Sequence, residues 1–336
     1  MPVLINMKLY KSLLEQCAGI GFGEIDAGNA ADFYRRLNGQ VSDLCRSLPK
    51  SMQAGAMMFL MEYGRIRVGE ALDFFKHFYA PAWSVLHWVT AGPRAAGTWS
   101  DKDTDDALCA QAMAMELHSL DDHLVDGGIP VSHLTLLVRS QAWRRMRDAI
   151  DRFCADLPGG SDIAHGLIDD YYSGITEEET PGDLDAYCEL FRKQMATWVV
   201  MPVLTAMKTG GSDDFVAGLR RAYESFGIAW RLLDDLQDLG DDMADGTRSA
   251  VYVCLDEKGR ALWDDRSRGM GKGADKQMDT ICAMARDVKI PEMIAGRIVA
   301  ELDNAAKLSD GIGLPGLGDE YRVLAGPVRA WIESYR

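Results

Sequence analysis

Apolar residues recur at intervals of three and four along almost the whole chain, and this pattern constrains the fold more than any other feature. Such spacing places apolar side chains on one face of an α-helix, whereas the alternation typical of a β-strand is scarce. The breaks coincide with turn sequences such as SLPKS at 47–51, DGGIPVS at 126–132 and TGGSDD at 209–214. Several of these turns also supply helix N-cap residues. The sequence therefore predicts an all-α protein.

The periodic stretches predict eleven helices, with boundaries uncertain by about 2–4 residues. These helices lie at 30–48, 52–64, 68–90, 103–126, 132–156, 161–173, 182–209, 213–241, 274–287, 291–309 and 318–334. The polar, glycine-rich stretch at 256–276 predicts a surface loop. Because no repeat or low-complexity linker interrupts the sequence, we expect a single antiparallel helical domain over 1–336. Its core lies at about 30–255, before a C-terminal helical section at about 274–336.

Charge and cysteine content exclude several classes of function. The net charge of −15 argues against nucleic acid or an anionic membrane surface as a partner, because both would be repelled. Seven cysteines without a CxxC pair predict neither a zinc site nor a disulfide framework. An odd cysteine count without an N-terminal export signal predicts a cytoplasmic location. The most apolar run, at 195–207, contains Pro202, and it is too short to cross a bilayer, so no transmembrane segment is expected.

Three aspartates interrupt a segment that otherwise has the pattern of a buried helix, LHSLDDHLVDG at 117–127. On a helix, Asp122 and Asp126 share one face, with Asp121 beside them and His118 one turn earlier. Like charges at this spacing repel, so the cluster costs stability unless a positive charge compensates it. For this motif alone, a solvated acidic face is an equally good explanation.

A second acidic cluster ends another apolar helix, in FGIAWRLLDDLQDLGDD at 226–242. Asp234 and Asp238 share a face, and Asp242 extends it. Two helices that both end in aspartates can converge at the mouth of a helical bundle. Carboxylates without histidine or cysteine support favour a hard cation, most simply Mg²⁺. The predicted metal ligands are Asp121, Asp122, Asp126, Asp234, Asp235 and Asp238.

These motifs resemble those of the class I isoprenoid synthases, and among them the trans-prenyl diphosphate synthases. The resemblance rests on DDHLVD at 121–126 and on FGIAWRLLDDLQDLGDDMADGTRS at 226–249. It rests also on Lys193 in YCELFRKQMATWVVMPVL, which resembles the family's helix carrying a diphosphate-binding lysine. Order and spacing match over roughly 105–255. The resemblance implies a helical-bundle fold, an allylic prenyl diphosphate substrate, three Mg²⁺ ions bound with it, and often a homodimer.

Several features depart from the family's pattern. The first motif has three residues, rather than two or four, before Asp126. The paired arginines that normally follow are missing, and Arg139 is the first arginine after the motif. The family's N-terminal Gly-Lys-Arg signature is also absent. Arg231 stands where a glutamine is usual, and Arg248 stands where a lysine is usual. Ordinary chain elongation with isopentenyl diphosphate is therefore not implied.

The resemblance assigns roles to individual side chains. Asp121, Asp122, Asp234 and Asp235 would support ionisation of the substrate through the bound cations. Direct contacts to the diphosphate would come from Lys193, Arg231 and Arg248. The tail pocket would be lined by Ala112, Glu116 and Leu117, although the carboxyl of Glu116 suits another helix better than a hydrocarbon. The sequence leaves the roles of Glu116, His118 and His123 open.

Three hypotheses about function remain open at this stage. The first is Mg²⁺-dependent ionisation of an allylic prenyl diphosphate with transfer of the prenyl group to an acceptor. The second is a terpene cyclase, favoured by the missing arginine pair but not by the second aspartate motif, where cyclases commonly carry an Asn/Ser/Glu triad. The third is a non-catalytic partner subunit of a prenyl synthase. It predicts that Asp121→Ala and Asp234→Ala leave the activity of the assembly unchanged.

Overall fold

The computed structural model describes residues 13–267 and 274–335, and the regular elements within these residues are helices. The predicted all-α class is therefore confirmed. The α-helices of the N-terminal half are α1 (Ala31–Arg46), α2 (Lys50–Tyr63), α3 (Pro81–Thr90), α4 (Asp101–Val125), α5 (His133–Cys154) and α6 (Gly160–Ile175). Those that follow are α7 (Leu184–Gln194), α8 (Ala196–Lys208), α9 (Asp213–Gln237), α10 (Leu239–Asp245), α11 (Ala250–Cys254), α12 (Glu257–Ser267), α13 (Ala274–Asp287), α14 (Ile290–Gly311) and α15 (Pro315–Tyr335).

Capping boxes fix the starts of two long helices. At α4, Ser100 Oγ accepts a hydrogen bond from the Asp103 amide at 3.2 Å, and Asp103 Oδ2 accepts one from the Ser100 amide at 2.9 Å. Ser132 and Thr135 make the same reciprocal pair at α5. Such pairs satisfy backbone donors that the first helical turn leaves without partners. The turn sequences therefore set where these helices begin.

The predicted helix at 68–90 is wrong over its first half. Residues 68–80 form turns and irregular chain, and only α3 is helical. Gly69 has a φ of 95°, which a right-handed helix does not accommodate. Pro81 occupies the first position of α3, where its missing N–H leaves no intrahelical bond unmade.

The helices predicted at 182–209 and 213–241 are each interrupted at a single residue. Met195 separates α7 from α8, and Asp238 separates α9 from α10. The interruption buries the Met195 side chain against Gly227, where an added Cβ would lie 2.2 Å from Met195 Cε. The glycine of the second motif therefore has a packing reason, because a larger residue at 227 would displace the end of the Met195 side chain.

The loop predicted at 256–276 is wrong for its first half, which forms α12. The helix begins where Asp256 Oδ1 accepts a hydrogen bond from the Gly259 amide at 2.8 Å. Trp263 is fully buried and packs edge-on against a tyrosine ring of α11, so burial of one large side chain outweighs the polar composition of the segment. Of the remainder, 268–273 lies outside the described residues, and 274–276 belongs to α13.

A buried polar junction links the two helices that end in aspartates. α4 and α9 both pack on α3 and α8. Gln111 Nε2 of α4 donates to the Ala82 carbonyl at 2.8 Å and to the Tyr223 hydroxyl of α9 at 3.1 Å. Eleven residues separate Gln111 from Asp122, and eleven separate Tyr223 from Asp234. Both aspartates therefore lie about 16 Å along their helices from the same junction.

Two further expectations concern membranes and cysteines. Among the helices of residues 13–267 and 274–335, none combines the length and the apolar character that a bilayer-spanning helix needs. All seven cysteines fall within these residues, and each is a free thiol.

Glu116 lies in the middle of α4, but it does not line a cavity near the aspartates. It is 6% exposed, and burial raises the pKa of its carboxyl to about 8. When it is ionised, the carboxylate raises the pKa values of Cys45 of α1 and Tyr63 of α2. Its side chain therefore lies next to these neighbouring helices. The carboxyl is therefore mostly protonated in the folded chain at pH 7.

We expect Glu116→Gln to flatten the dependence of stability on pH. In the unfolded chain a glutamate has a pKa near 4.5, so between this value and about 8 the folded chain holds a proton that the unfolded chain has lost. The free energy of unfolding of the wild type should therefore fall as pH rises through this window, by on the order of a few kcal/mol from this residue. Urea unfolding of both proteins at pH 5 and pH 8 measures the effect, and equal pH dependence in the two proteins would contradict it.

Candidate active site

The C-terminal ends of α4 and α9 border a single cavity of about 500 Å³. Aspartates dominate its lining, and negative charge at a helix C-terminus is unfavourable because the helix dipole is negative there. The six predicted ligands all line this cavity, together with three further aspartates that the prediction omitted. The nine aspartates are Asp121, Asp122, Asp126, Asp234, Asp235, Asp238, Asp241, Asp242 and Asp245.

Asp121 is already occupied by protein partners. Arg139 Nε lies 2.6 Å from Asp121 Oδ1, and Arg139 Nη2 lies 2.9 Å from Asp121 Oδ2. The indole N–H of Trp143 lies a further 3.5 Å from Oδ2. A bidentate pair of this kind occupies both carboxylate oxygens. Arg139 therefore compensates the charge of Asp121 within the protein, whereas no described residue donates a hydrogen bond to the side chain of Asp122 or of Asp126, which follows α4.

Asp235 is also occupied, and it is only 2% exposed. Its Oδ2 accepts hydrogen bonds from the Tyr187 hydroxyl at 2.7 Å and from the Ala250 amide at 2.9 Å. Its Oδ1 lies 3.0 Å from Arg231 Nε. This single carboxylate joins α9 to α7 and α11, so its geometry is that of a structural anchor.

Three other aspartates of the second cluster remain directed at the cavity. Asp234, Asp238 and Asp242 recur at intervals of four residues, and all of them line it. Asp242 Oδ2 is buried, and no described residue lies in the right geometry to donate a hydrogen bond to it. The Ser249 hydroxyl is near enough to lower the pKa of this carboxyl. A buried carboxylate oxygen without a hydrogen bond is costly, which suits an atom that a cation would contact.

Four of the aspartates that face the cavity hold their protons more tightly than free carboxyls. Burial, and then the charge of Asp235, raise the pKa of Asp242 to about 7. Burial raises the pKa of Asp234 to about 6, despite an opposing effect of Arg231. Burial and neighbouring carboxylates also raise the pKa values of Asp126 and Asp238. The cluster is therefore an undercompensated anionic site, which a cation would stabilise.

Arg231 is the only lysine or arginine among the described residues that line this cavity. Its Nε donates to the Tyr187 hydroxyl at 3.0 Å, and its guanidinium lies 6.0 Å from the centre of the Phe191 ring. Pairing with Asp235 holds the guanidinium in place at the cavity wall. Of the three predicted diphosphate contacts, this is the one that the structure brings to the aspartates.

Lys193 and Arg248 lie outside the cavity lining. On α7 the lining side chains are Phe191 and Gln194, whereas the Cβ of Lys193 packs against Gly174 of α6 and the residue is exposed. Arg248 hydrogen-bonds to the Thr180 hydroxyl and lies over the Tyr252 ring. The neighbouring Thr247 lines the cavity instead.

A smaller chamber of about 160 Å³ adjoins the acidic cavity on its aromatic side. Its apolar wall is made by Phe78, Trp198 and Trp230, whose ring centres lie 5.2–6.1 Å apart. Aromatic faces of this kind attract cations. The sequence around Phe78 did not predict that its ring lines the site, because Phe78 lies in the irregular chain before α3. The ring contacts between distant parts of the sequence are what assemble the chamber.

The two histidines of the first motif have different environments. His123 Nδ1 shares a hydrogen bond of 2.7 Å with the Tyr63 hydroxyl. The His118 ring lies 4.8 Å from the Trp198 ring, centre to centre. Burial lowers the pKa of His118 to about 4, so its imidazole is neutral at pH 7. Both histidines line the acidic cavity and the aromatic chamber.

Comparison with solved structures identifies the fold. The chain superposes on a polyprenyl synthase from Caulobacter crescentus, complexed with calcium and isoprenyl diphosphate, with a TM-score of 0.65 at 14% identity, covering 90% of this chain and 98% of the other. For a geranylgeranyl pyrophosphate synthetase from Geoglobus acetivorans the TM-score is 0.64 at 14% identity, covering 88% and 98%. For a geranylgeranyl pyrophosphate synthase from Corynebacterium glutamicum, complexed with isoprenyl diphosphate and magnesium, it is 0.62 at 12% identity, covering 90% and 98%.

No family model matches the chain, and no curated protein matches it in sequence. The similarity therefore lies in the three-dimensional structure, where the whole helical arrangement is shared at identities of 12–14%. The predicted resemblance to the trans-prenyl diphosphate synthases is confirmed in the fold. The chain has the all-α isoprenoid synthase fold.

Proposed function

We propose that this chain, which has the fold of the prenyl diphosphate synthases, ionises an allylic prenyl diphosphate with Mg²⁺ and transfers the prenyl group to an acceptor. One observation carries the proposal: two aspartate-bearing helix ends face one cavity, and this cavity adjoins an aromatic chamber. A polar, metal-dependent diphosphate end and an apolar cation end are the two parts that such a reaction requires.

The available carboxylates fit Mg²⁺ shared with a substrate better than a preformed metal centre. In the described part of the chain, no three His, Cys, Asp or Glu side chains are arranged to hold a metal ion unaided. Mg²⁺ commonly takes one or two carboxylates and completes its shell with water and substrate phosphates. Such carboxylates lie on both sides of the cavity. The end of α4 provides Asp122 and Asp126, and the opposite side provides Asp234, Asp238 and Asp242. Bound there, the metal would stabilise the charge that develops on the leaving diphosphate.

Arg231 has a distinct part in this proposal. It is fixed by Asp235 and Tyr187 at the wall where the acidic cavity meets the aromatic chamber. A guanidinium at this position donates hydrogen bonds to the diphosphate without rearranging first. The negative net charge of the protein would otherwise repel the substrate.

Release of diphosphate from geranyl, farnesyl and geranylgeranyl diphosphates tests the proposal. With Mg²⁺ present, at least one of these substrates should release inorganic diphosphate, and a chelator should abolish the release. A folded protein that releases none from any of the three substrates, with or without added acceptors, contradicts the proposed function.

A terpene cyclase is the second candidate, and the aromatic chamber favours it. Arg231 is the only lysine or arginine among the described residues that line the cavity or the chamber, so nothing there provides a second cationic pocket for a second diphosphate. Analysis of products from a single allylic substrate separates the two: a cyclic hydrocarbon formed without an acceptor indicates the cyclase.

A further inference from the structure

His118 lies at the junction of the acidic cavity and the aromatic chamber. Six residues line both spaces, and a prenyl cation that leaves its diphosphate would pass between them. The six are His118, Asp122, His123, Phe191, Arg231 and Asp234. A side chain of this set is therefore placed to act on the cation immediately after ionisation.

Chemistry and contacts favour one side chain of this set over the others. Phe191 and Arg231 cannot accept a proton, because a phenyl ring lacks a basic atom and a guanidinium stays charged. Under the proposed function, Asp122 and Asp234 serve the diphosphate end. His123 shares Nδ1 with the Tyr63 hydroxyl at 2.7 Å. His118 makes no hydrogen bond to any described residue, so its basic nitrogen is available to the cavity.

The surroundings of His118 direct it towards the cation. Its ring contacts the Trp198 ring at 4.8 Å and the Phe191 ring at 6.3 Å, centre to centre. Trp198 is part of the aromatic chamber wall. The imidazole is therefore near the apolar end of the site as well as the acidic end. A hydrogen beside a carbocation centre is strongly acidic, so even a weakly basic imidazole would accept it.

We propose that His118 is the catalytic base that ends the reaction by removing a proton from the prenyl-derived cation. In this step, a C–H bond next to the cationic carbon breaks. Its electron pair becomes the second bond of a C=C double bond, and the proton goes to an imidazole nitrogen. The inference deepens the proposed function and rests on it. It applies whether the cation has first reacted with an acceptor or closed on itself, because both products still have a proton to lose.

Two substitutions of His118 test the assignment through the products rather than the rate alone. His118→Phe keeps an aromatic ring against Trp198, and His118→Gln keeps a polar side chain, but neither accepts a proton. Each is incubated with farnesyl diphosphate and Mg²⁺, and both diphosphate release and the ratio of alkene to alcohol are measured. His165→Gln is the matched control, because His165 is an exposed histidine on α6.

In both variants we expect the ratio of alkene to alcohol to fall by at least about tenfold relative to the wild type. Without the base, water quenches the cation and yields alcohol. An unchanged ratio in either folded variant would overturn the role of His118 and leave the proposed function intact. Loss of folding in both variants, seen by circular dichroism, would also overturn it by showing a structural role. No release from the wild type would overturn the function and this inference together.

Discussion

Asp234→Ala is expected to reduce Mg²⁺-dependent release of diphosphate by at least about 10²–10³-fold, the range seen when one charge-stabilising contact is removed from an active site. Asp234 faces the acidic cavity, and no described residue donates a hydrogen bond to its carboxylate. Among the described residues its one ion-pair partner is Arg231, at 3.8 Å. Asp122→Ala should have a comparable effect, because Asp122 faces the same cavity from α4. The measurement is the initial rate of diphosphate release at saturating substrate.

The control for these variants is Asp170→Ala on α6. Like Asp234, Asp170 belongs to a pair of adjacent aspartates on a helix. Unlike Asp234, it is exposed and lies outside the cavity lining. It should release diphosphate at the wild-type rate. Because burial raises the pKa of Asp234, its removal should not lower the thermal midpoint. A wild-type rate in Asp234→Ala, with the wild type active, would exclude this aspartate from the site.

Asp235→Ala is expected to lower the free energy of unfolding by about 3–5 kcal/mol, the usual effect of removing one partner from a buried ion pair. The substitution leaves the Arg231 guanidinium without its closest carboxylate. It also removes the acceptor of the Tyr187 hydroxyl and of the Ala250 amide. Urea unfolding at pH 7 measures the loss as a shift of the midpoint at constant slope.

Asp241→Ala is the matched control for this prediction. Asp241 lies six residues further along the chain, is exposed, and makes no ion pair within the described residues. Its replacement should change the free energy of unfolding by no more than about 0.5 kcal/mol. If Asp235→Ala and Asp241→Ala proved equally stable, the anchoring role of Asp235 would be wrong.

The two acidic motifs show how far local sequence carries the assignment of a site. The spacing of four residues correctly indicated that Asp122 shares a face with Asp126 and Asp234 with Asp238, since a helix returns to the same face after about four residues. The same reasoning treated Asp121 and Asp235 as further ligands. Spacing contains no information about partners that approach from other helices, such as Arg139 beside Asp121 and Tyr187 beside Asp235.

The cationic contacts show the same limit. Lys193 stands at a position that resembles the family's diphosphate-binding lysine, and Arg231 stands where a glutamine is usual, but only Arg231 lines the cavity. The difference lies in rotation about a helix: on α7 the cavity face carries Phe191 and Gln194, and Lys193 points towards α6. A single-residue offset of this kind depends on how α7 packs, which the sequence alone did not specify.

The sequence by itself determined the all-α class, most helix positions and the two aspartate-bearing helix ends, because these follow from periodicity and turn chemistry within a few residues. Only the tertiary structure decided which aspartates pair with other side chains. It alone assembled the aromatic chamber from Phe78, Trp198 and Trp230. These features depend on contacts between residues up to about 150 positions apart. Such contacts arise from the packing of whole helices, and no local pattern encodes them.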